Sequence, residues 1–258
     1  MLEHFKGDEI FVKKIIDYKN QALDHQRMIL TPFYNPHEQD LVYKIIGQHD
    51  LIVDSYGGFV NAENQRMIIC PDFYEIHQDD FDIVIVEVGY NHQFGKLLHK
   101  DVLGALMSLG IKRDCIGDIY DKDCLYFTCT KQTFSYIQNN LTQIKKSKVH
   151  LKEVYGQITI SHEYNSKTFF VSSMRLDRLV ATLYKVSRQQ ANTAIRSGFV
   201  KVNHKLVEEV NFLCHNNDMI SFKRHGRVKI VDEKRFTKQG NSVVTGYFYK
   251  WGEWCDYI

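Results

Sequence analysis

At 258 residues, with 44% hydrophobic residues and three prolines, the chain has enough apolar side chains for two or three small folded domains, which excludes a disordered protein. The net charge is only +2, no apolar run reaches the roughly 18 residues that cross a bilayer, and the first residues do not resemble a signal peptide, so we expect a cytoplasmic protein without a membrane partner. The six cysteines include no CxxC pair and the twelve histidines no HxxxH or HExxH motif, so we expect reduced thiols, no metal site and no cofactor.

Residues 1–75 are predicted to form an N-terminal α+β domain. Apolar residues recur at helical spacing over about 8–26, and Asn35 is placed to cap a second helix that ends at Gly47. The stretch 31–36 contains two prolines, so it is predicted to interrupt regular structure. Strands are expected after the second helix.

Residues 76–171 are predicted to form a central domain with a ferredoxin-like fold, similar in outline to an RNA-recognition motif. The nearly continuous apolar run over 81–89 is typical of a central strand, and the elements from there on read β-α-β-β-α-β. No G-x-G-x-x-G turn follows within 89–95, so a Rossmann domain is not supported. The aromatic signature with which RNA-recognition motifs stack bases is absent from 125–129, so stacking on this sheet is not expected.

A polar cluster, His99-Lys100-Asp101, lies where a helix of the central domain begins. Its simplest role is helix capping, because a carboxylate in the first turn is favoured by the helix dipole. The alternative is a second RNA-binding or partner-binding surface that these three residues form with Arg113. The sequence leaves both interpretations open.

Residues 172–258 are predicted to form a C-terminal domain of two helices and a small β-sheet. Leucine and valine residues at helical spacing predict a helix over 175–184 whose polar residues point outward. Ser187 begins a capping box at the start of a second helix, and Gly198 is placed to end that helix. Alternating residues then predict short strands, and the stretch 231–258 is expected to add two strands that close the sheet.

Positive charge is concentrated in this C-terminal domain. Residues 172–230 hold eleven basic and four acidic residues, a net charge of +7, whereas residues 1–171 carry −5. The usual target of such a basic module is a phosphate backbone. The predicted RNA-binding residues lie on the polar side of the two helices and on the hairpins that follow. They are Arg175, Asp177, Arg178, Ser187, Arg188, Asn192, Arg196, Lys201, Asn203, Lys205, Lys223 and Arg227.

The order of motifs in this domain resembles the RNA-binding domain first recognised in the fourth small-subunit ribosomal protein. The motifs are Arg175-Leu176-Asp177, Ser187-Arg188, the run from Ser197 to Asn203, and Asp218-Met219-Ile220. That domain usually has glycine at the positions of His204 and Asn217. Histidine and asparagine tolerate a left-handed backbone better than most residues, so we expect both turns to persist.

Motifs along the whole chain resemble the YlmH family of bacterial ribosome-associated proteins. They are Asn35-Pro36-x-Glu38-Gln39, Gly57-Gly58, His99-x-Asp101, Gly110-Ile111-x-Arg113 and Ile116-Gly117-Asp118-Ile119, followed by the RNA-binding domain. The resemblance implies a three-part protein that binds rRNA of the large ribosomal subunit and tRNA. It also implies a role in rescue or quality control of stalled ribosomes that carry peptidyl-tRNA, and a link to cell-division genes.

Two other functions are weighed against this one. Similar RNA-binding domains are attached to pseudouridine synthases, which use an Asp in an Arg-Leu-Asp context like that of Asp177. Here the triplet lies inside the RNA-binding domain itself, where Asp177 is expected to orient Arg175 or Arg178. No paired acid and base and no nucleophile constellation stands out, so we expect a binding protein and not an enzyme. The other alternative is an adaptor protein associated with cell division.

Overall fold

The computed structural model describes residues 7–47, 50–121, 124–160 and 164–249. The chain divides into two compact units, Met1–Ser161 and His162–Ile258, here called the N-terminal unit and the C-terminal unit. Both contain helices and sheets, so the fold is of the mixed α and β class. Among the described residues, no helix is both long enough and apolar enough to cross a membrane.

The N-terminal unit begins with two helices and a three-stranded antiparallel sheet of order β1-β4-β2. The elements are α1 (Glu9–Asp24), β1 (Ile29–Tyr34), α2 (Pro36–Ile46), β2 (Leu51–Tyr56), β3 (Phe59–Val60) and β4 (Gln65–Pro71). The predicted cap of α2 is confirmed, because the Asn35 side chain accepts hydrogen bonds from the backbone N–H groups of His37 and Glu38.

The predicted interruption at 31–36 is wrong, because most of this stretch belongs to β1. Pro32 is compatible with a strand here since β1 lies at the edge of its sheet, and its register with β4 shifts between Leu30 and Phe33. Within this irregularity the Thr31 hydroxyl accepts a hydrogen bond from the Met67 N–H at 2.9 Å. A proline at a bulge removes no ladder hydrogen bond, which sequence propensity alone does not reveal.

The second part of this unit is a five-stranded antiparallel sheet of order β6-β7-β5-β9-β8 with two helices. The elements are β5 (Ile83–Tyr90), α3 (His99–Ser108), β6 (Ile116–Tyr120), β7 (Tyr126–Thr130), α4 (Lys131–Asn140), β8 (Gln143–Ile144), β9 (Ser147–Val154) and the short β10 (Ile158–Thr159). Val86 and Phe127 from the sheet and Leu106 and Ile137 from the helices are completely buried in one core. The element order is the expected one, with β8 added before the last long strand.

The loop after β2 packs closely against this second part. Strand β3 pairs in parallel with β10, and Phe59 shares a small apolar cluster with Ile85 and Ile160. Gly58 has a φ of +90°, and a Cβ at this position would lie 2.6 Å from the Thr128 side chain. Glycine is therefore required here both for backbone conformation and for close packing.

Asp118, on β6, fixes the position of the same loop. Its carboxylate accepts hydrogen bonds from the backbone N–H of Glu63 at 2.6 Å and from the backbone and side-chain N–H groups of Asn64 at 3.1 and 2.5 Å. The side chain is buried, and burial raises the pKa of Asp118 to about 6, although the hydrogen bonds from Asn64 act in the opposite direction.

The titration of Asp118 is expected to make the N-terminal unit less stable as the pH rises from about 4 to about 6. A carboxyl group with a raised folded-state pKa binds its proton more tightly in the folded state. Stability therefore begins to fall once the pH passes the unfolded pKa, and the loss of stability is complete above the folded pKa.

Two substitutions test this assignment. Asp118→Asn should remove this pH dependence. Asp118→Ala leaves three N–H groups without their acceptor and should lower the free energy of unfolding by about 2–4 kcal/mol. Urea denaturation at several pH values measures both effects, and a difference between wild type and Asp118→Asn that does not vary with pH would contradict the assignment.

The C-terminal unit is a six-stranded antiparallel sheet of order β11-β16-β15-β14-β12-β13 with two helices. The elements are β11 (Tyr164–Val171), α5 (Leu176–Tyr184), α6 (Arg188–Arg196), β12 (Val200–Val202), β13 (Lys205–Leu206), β14 (Met219–Phe222), β15 (Gly226–Phe236) and β16 (Ser242–Tyr249). The two strands expected in the tail are β15 and β16, and residues 250–258 lie outside the described residues. Strand β11, which the expected boundary at 172 assigns to the central domain, pairs with β16 along its whole length.

The two helices of this unit follow the local signals in the sequence. Leu176 and Leu179 of α5 and Ile195 of α6 are completely buried in the core of the unit. The capping box at Ser187 is confirmed, because its hydroxyl oxygen accepts a hydrogen bond from the Gln190 N–H and the Gln190 side chain accepts one from the Ser187 N–H. Gly198 follows α6 with a φ of +71°, which confirms its predicted role in ending the helix.

Candidate RNA-binding surface

One buried carboxylate holds two of the predicted contact arginines. The side chain of Asp177 is only 1% exposed, which corrects the expectation that it points out of the helix. Arg175 Nε donates a hydrogen bond to Asp177 Oδ1 at 3.0 Å, and Arg188 Nε and Nη2 donate to Oδ2 at 3.0 and 2.9 Å. Asp177 therefore orients Arg175, as expected, but its second partner is Arg188 and not Arg178, whose Nη1 donates to Ser172.

In this cluster the carboxylate stays charged, and both arginines keep donors that can bind a phosphate. Burial by itself raises the pKa of Asp177, but the hydrogen bonds and positive charges of Arg175 and Arg188 outweigh burial and bring the pKa below its ordinary value. The side chains of Arg175 and Arg188 remain 38% and 55% exposed. A guanidinium has five N–H donors, and Asp177 engages two on each arginine, so donors remain for a phosphate.

Helix α6 extends this surface beyond Asp177. Arg188, Asn192 and Arg196 are spaced four residues apart and share one face of the helix. Arg188 and Arg196 are exposed, and at ~1.5 Å rise per residue their Cα atoms are about 12 Å apart along the axis. Asn192 between them is half-buried. The face therefore presents two separated cations, which suits the repeating charges of a nucleic-acid backbone.

The hairpin after α6 gives Asn203 a structural position. His204 and Asn217 have φ values of +67° and +69°, so both adopt the left-handed backbone expected at these turns, and Asn203 does so as well with a φ of +50°. Asn203 Nδ2 donates to Asp218 Oδ1 at 2.7 Å, and Asn203 Oδ1 accepts from the Met219 N–H at 2.8 Å. Asn203 therefore also has a structural role. The residue is exposed and keeps one amide N–H, so its contact to RNA stays a prediction.

The remaining predicted residues of the C-terminal unit differ in exposure. Arg227 on β15 is only 5% exposed, and it is therefore withdrawn from the contact surface. Lys201, Lys205 and Lys223 are half-exposed. Ser187 is exposed, its oxygen accepts the capping hydrogen bond, and its hydroxyl hydrogen can donate to RNA.

The polar cluster of the central domain is divided by the fold. His99 is buried, and the Asp101 carboxylate accepts a hydrogen bond from the N–H of the residue before α3 and pairs with Lys145 Nζ at 2.7 Å. The capping interpretation therefore holds for Asp101, and neither His99 nor Asp101 is available to a second surface. Lys100 and Arg113 are exposed.

A groove on a different face of α6 was not predicted from the sequence. It has a volume of about 790 Å³ and lies between α6 and the turn that joins β14 to β15. Three aromatic side chains, Phe199, Phe222 and His225, line it together with the basic residues Lys223 and Arg224. In the sequence, each of the aromatic residues Phe199 and His225 lies close to a basic residue. The sequence alone does not distinguish such an aromatic residue from one that packs in the core.

Comparison with known proteins assigns a family to each part of the chain. Residues 7–74 match the profile described as "YlmH, N-terminal", and residues 77–158 match the profile described as "Putative RNA-binding domain in YlmH". Residues 174–220, which contain the Asp177 cluster and α6, match the profile of the S4 domain.

Two relatives were found over most of their own lengths. The chain is 31% identical to the ribosome-associated protein quality control protein P2 of Bacillus subtilis (strain 168) over 247 residues, which covers 94% of this chain and 96% of the relative. It is also similar to the solved structure of the cell division protein ylmH from Streptococcus pneumoniae, with a TM-score of 0.52 and 27% identity, over 57% of this chain and 91% of that one.

Proposed function

Because this chain belongs to the YlmH family, we propose that it is a non-enzymatic, cytoplasmic protein that binds rRNA and tRNA on the large ribosomal subunit, in quality control of stalled ribosomes that carry peptidyl-tRNA. The observation that carries this proposal is the Asp177 cluster. A buried carboxylate holds Arg175 and Arg188 with exposed guanidinium groups inside a module of net charge +7. Arginines that the fold has already oriented lose less side-chain entropy when they bind phosphate.

We propose a contact surface in which cations of the C-terminal unit bind phosphates and the fold selects an RNA shape. Its members are Arg175, Arg178, Arg188, Arg196, Lys201, Lys205 and Lys223, with Asp177, Ser187, Asn192 and Asn203 as supporting groups. Side chains that contact phosphate position a protein on RNA but carry no sequence information, so recognition by shape is expected.

We also propose a three-domain division with a ferredoxin-like central domain, in which the boundary expected at 172 moves to 162 because β11 belongs to the sheet of the C-terminal unit: 1–75, 76–161 and 162–258. The ferredoxin-like fold is supported by the antiparallel order β6-β7-β5-β9. Its two central strands are β5 and β7, the first and third long strands of this domain along the chain. The match of separate family profiles to 7–74, 77–158 and 174–220 supports the same division.

The position of Asp177 argues against the alternative of a pseudouridine synthase. A catalytic carboxylate must reach the base on which it acts. The Asp177 side chain is 1% exposed and is covered by hydrogen bonds from Arg175 and Arg188. A group in this position orients other side chains, so we place it among the supporting residues.

Sedimentation on a sucrose gradient tests the proposed function. We expect the full chain to migrate with large ribosomal subunits at low salt and to be released as salt rises, because phosphate contacts weaken by counterion competition. Protein that stays at the top of the gradient at low salt, or that migrates only with small subunits, would refute the proposal. An adaptor for cell division would instead retain a protein partner after ribonuclease treatment.

A further inference from the structure

The groove beside α6, here called the aromatic groove, is separate from the face of α6 that carries Arg188, Asn192 and Arg196, here called the arginine face. Its helix side is formed by Ser187, which caps α6, and by Gln189, Gln190, Thr193 and Ala194; none of these belongs to the face of Arg188, Asn192 and Arg196. Its other side is formed by the turn between β14 and β15. The aromatic groove therefore adds a second chemical surface within the C-terminal unit, next to the proposed phosphate contacts.

The turn presents a flat ring that the core supports. The His225 ring is stacked on the Phe222 ring, with centroids 4.0 Å apart and an interplanar angle of 10°. Phe222 is only 7% exposed, whereas His225 is exposed. Because Phe222 is fixed by the core on one side of the His225 ring, that ring is held in place at the groove before any ligand arrives.

A second aromatic ring and two cations complete the groove. Phe199 is 45% exposed, and Lys223 Nζ lies 5.3 Å from the centroid of its ring. The Lys223 N–H donates a hydrogen bond to the Phe199 carbonyl oxygen at 2.9 Å, which ties the turn to the residue that follows Gly198. Arg224 is exposed at the tip of the turn with a φ of +67°. Aromatic and cationic groups are thus held together by the backbone.

We propose that the aromatic groove binds one unpaired nucleobase of the RNA, stacked on His225, with its phosphate near Lys223 and Arg224; this rests on the function proposed above. Stacked bases need an aromatic surface, and their phosphates need nearby cations. The amide and hydroxyl groups of Gln189, Gln190 and Thr193 can donate to or accept from a base edge without a charge of their own. The arginine face would then bind duplex RNA while the aromatic groove binds a base extruded from the same RNA.

Three RNA hairpins test this inference with the full chain. The first is completely paired, the second has one unpaired adenosine in its stem, and the third has an abasic nucleotide at that position. We expect the second hairpin to bind about tenfold more tightly than either of the others, since stacking of one base on an aromatic side chain contributes ~1–3 kcal/mol. The abasic hairpin controls for the bend and the extra phosphate.

Variants assign the preference to the groove. His225→Ala should abolish the preference for the unpaired base, whereas His225→Tyr, which keeps an aromatic ring, should retain it. Phe199→Ala, at an exposed position outside the buried core, should reduce the preference even if His225→Ala disturbs the turn. The pair Arg188→Ala and Arg196→Ala should weaken all three hairpins by the same factor and leave their ratio unchanged.

The outcomes separate this inference from the proposed function. Equal binding of all three hairpins to the wild-type chain overturns the inference and leaves RNA binding intact. A preference for the unpaired base that survives both His225→Ala and Phe199→Ala also overturns it, because the base would then be bound elsewhere. If no hairpin binds at low salt, the proposed function fails as well.

Discussion

Joint replacement of Arg188 and Arg196 by alanine is expected to weaken binding to structured RNA by about 10- to 100-fold at low salt. The same change should reduce the slope of log affinity against log salt concentration by about one to two units, because each lost phosphate contact leaves a counterion on the RNA. Both side chains are exposed on one face of α6. Fluorescence anisotropy with labelled RNA at several potassium chloride concentrations measures affinity and slope together.

A matched pair of substitutions distinguishes a local contact from a general effect of charge. Arg235→Ala with Lys238→Ala also removes two positive charges from exposed positions of the C-terminal unit, but outside the S4-domain match. We expect this pair to retain nearly the wild-type slope. If both pairs weaken binding equally, net charge and not the α6 face determines affinity, and an unchanged slope for the first pair would show that this face does not contact RNA.

The features that the sequence predicts well are those that neighbouring residues determine. The Asn35 cap and the Ser187 capping box need only residues two or three positions along the chain, so their signals are complete in the sequence. The same holds for Gly198, whose left-handed backbone ends α6. Helix ends were therefore located within a few residues.

The features that the sequence does not predict depend on pairing between distant segments. The residues of β11 are 70 or more positions away from their partners in β16, and nothing in 164–171 alone distinguishes the two sheets. Arg227 is buried whereas Lys229, two residues farther along the same strand, is half-exposed, so the alternation along β15 does not predict the difference. The position of Asp177 within α5 predicts an exposed side chain. Its hydrogen bonds with Arg188 depend on the packing of α6 against α5, which the spacing within α5 does not show.

Asp177→Ala is expected to lower the free energy of unfolding of the C-terminal unit by about 2–3 kcal/mol, and to weaken RNA binding at the same time. The carboxylate is buried and accepts hydrogen bonds from Arg175 and Arg188, so its removal leaves both guanidinium groups without their anchor. The cost is below that of a completely buried ion pair, because both arginines are partly exposed and can turn toward water. Chemical denaturation, followed by signals from the C-terminal unit, measures this change in the free energy of unfolding.

A double-mutant cycle identifies the interaction that is lost. Asp177→Ala should cost about 1–2 kcal/mol less in the Arg188→Ala background than in the wild type, because the two residues share hydrogen bonds. The cycle with Arg196→Ala should be additive, since Arg196 lies about two turns farther along α6.

The same carboxylate should make the stability of the C-terminal unit depend on pH. The pKa of Asp177 is lowered in the folded state, so the contribution of Asp177 to stability should be fully present above pH ~4 and lost as the pH falls through the folded value. Coupling to Arg196 equal to that with Arg188, or a cost of Asp177→Ala that persists in strong acid, would mean that the carboxylate stabilises the unit by packing and not by orienting the arginines.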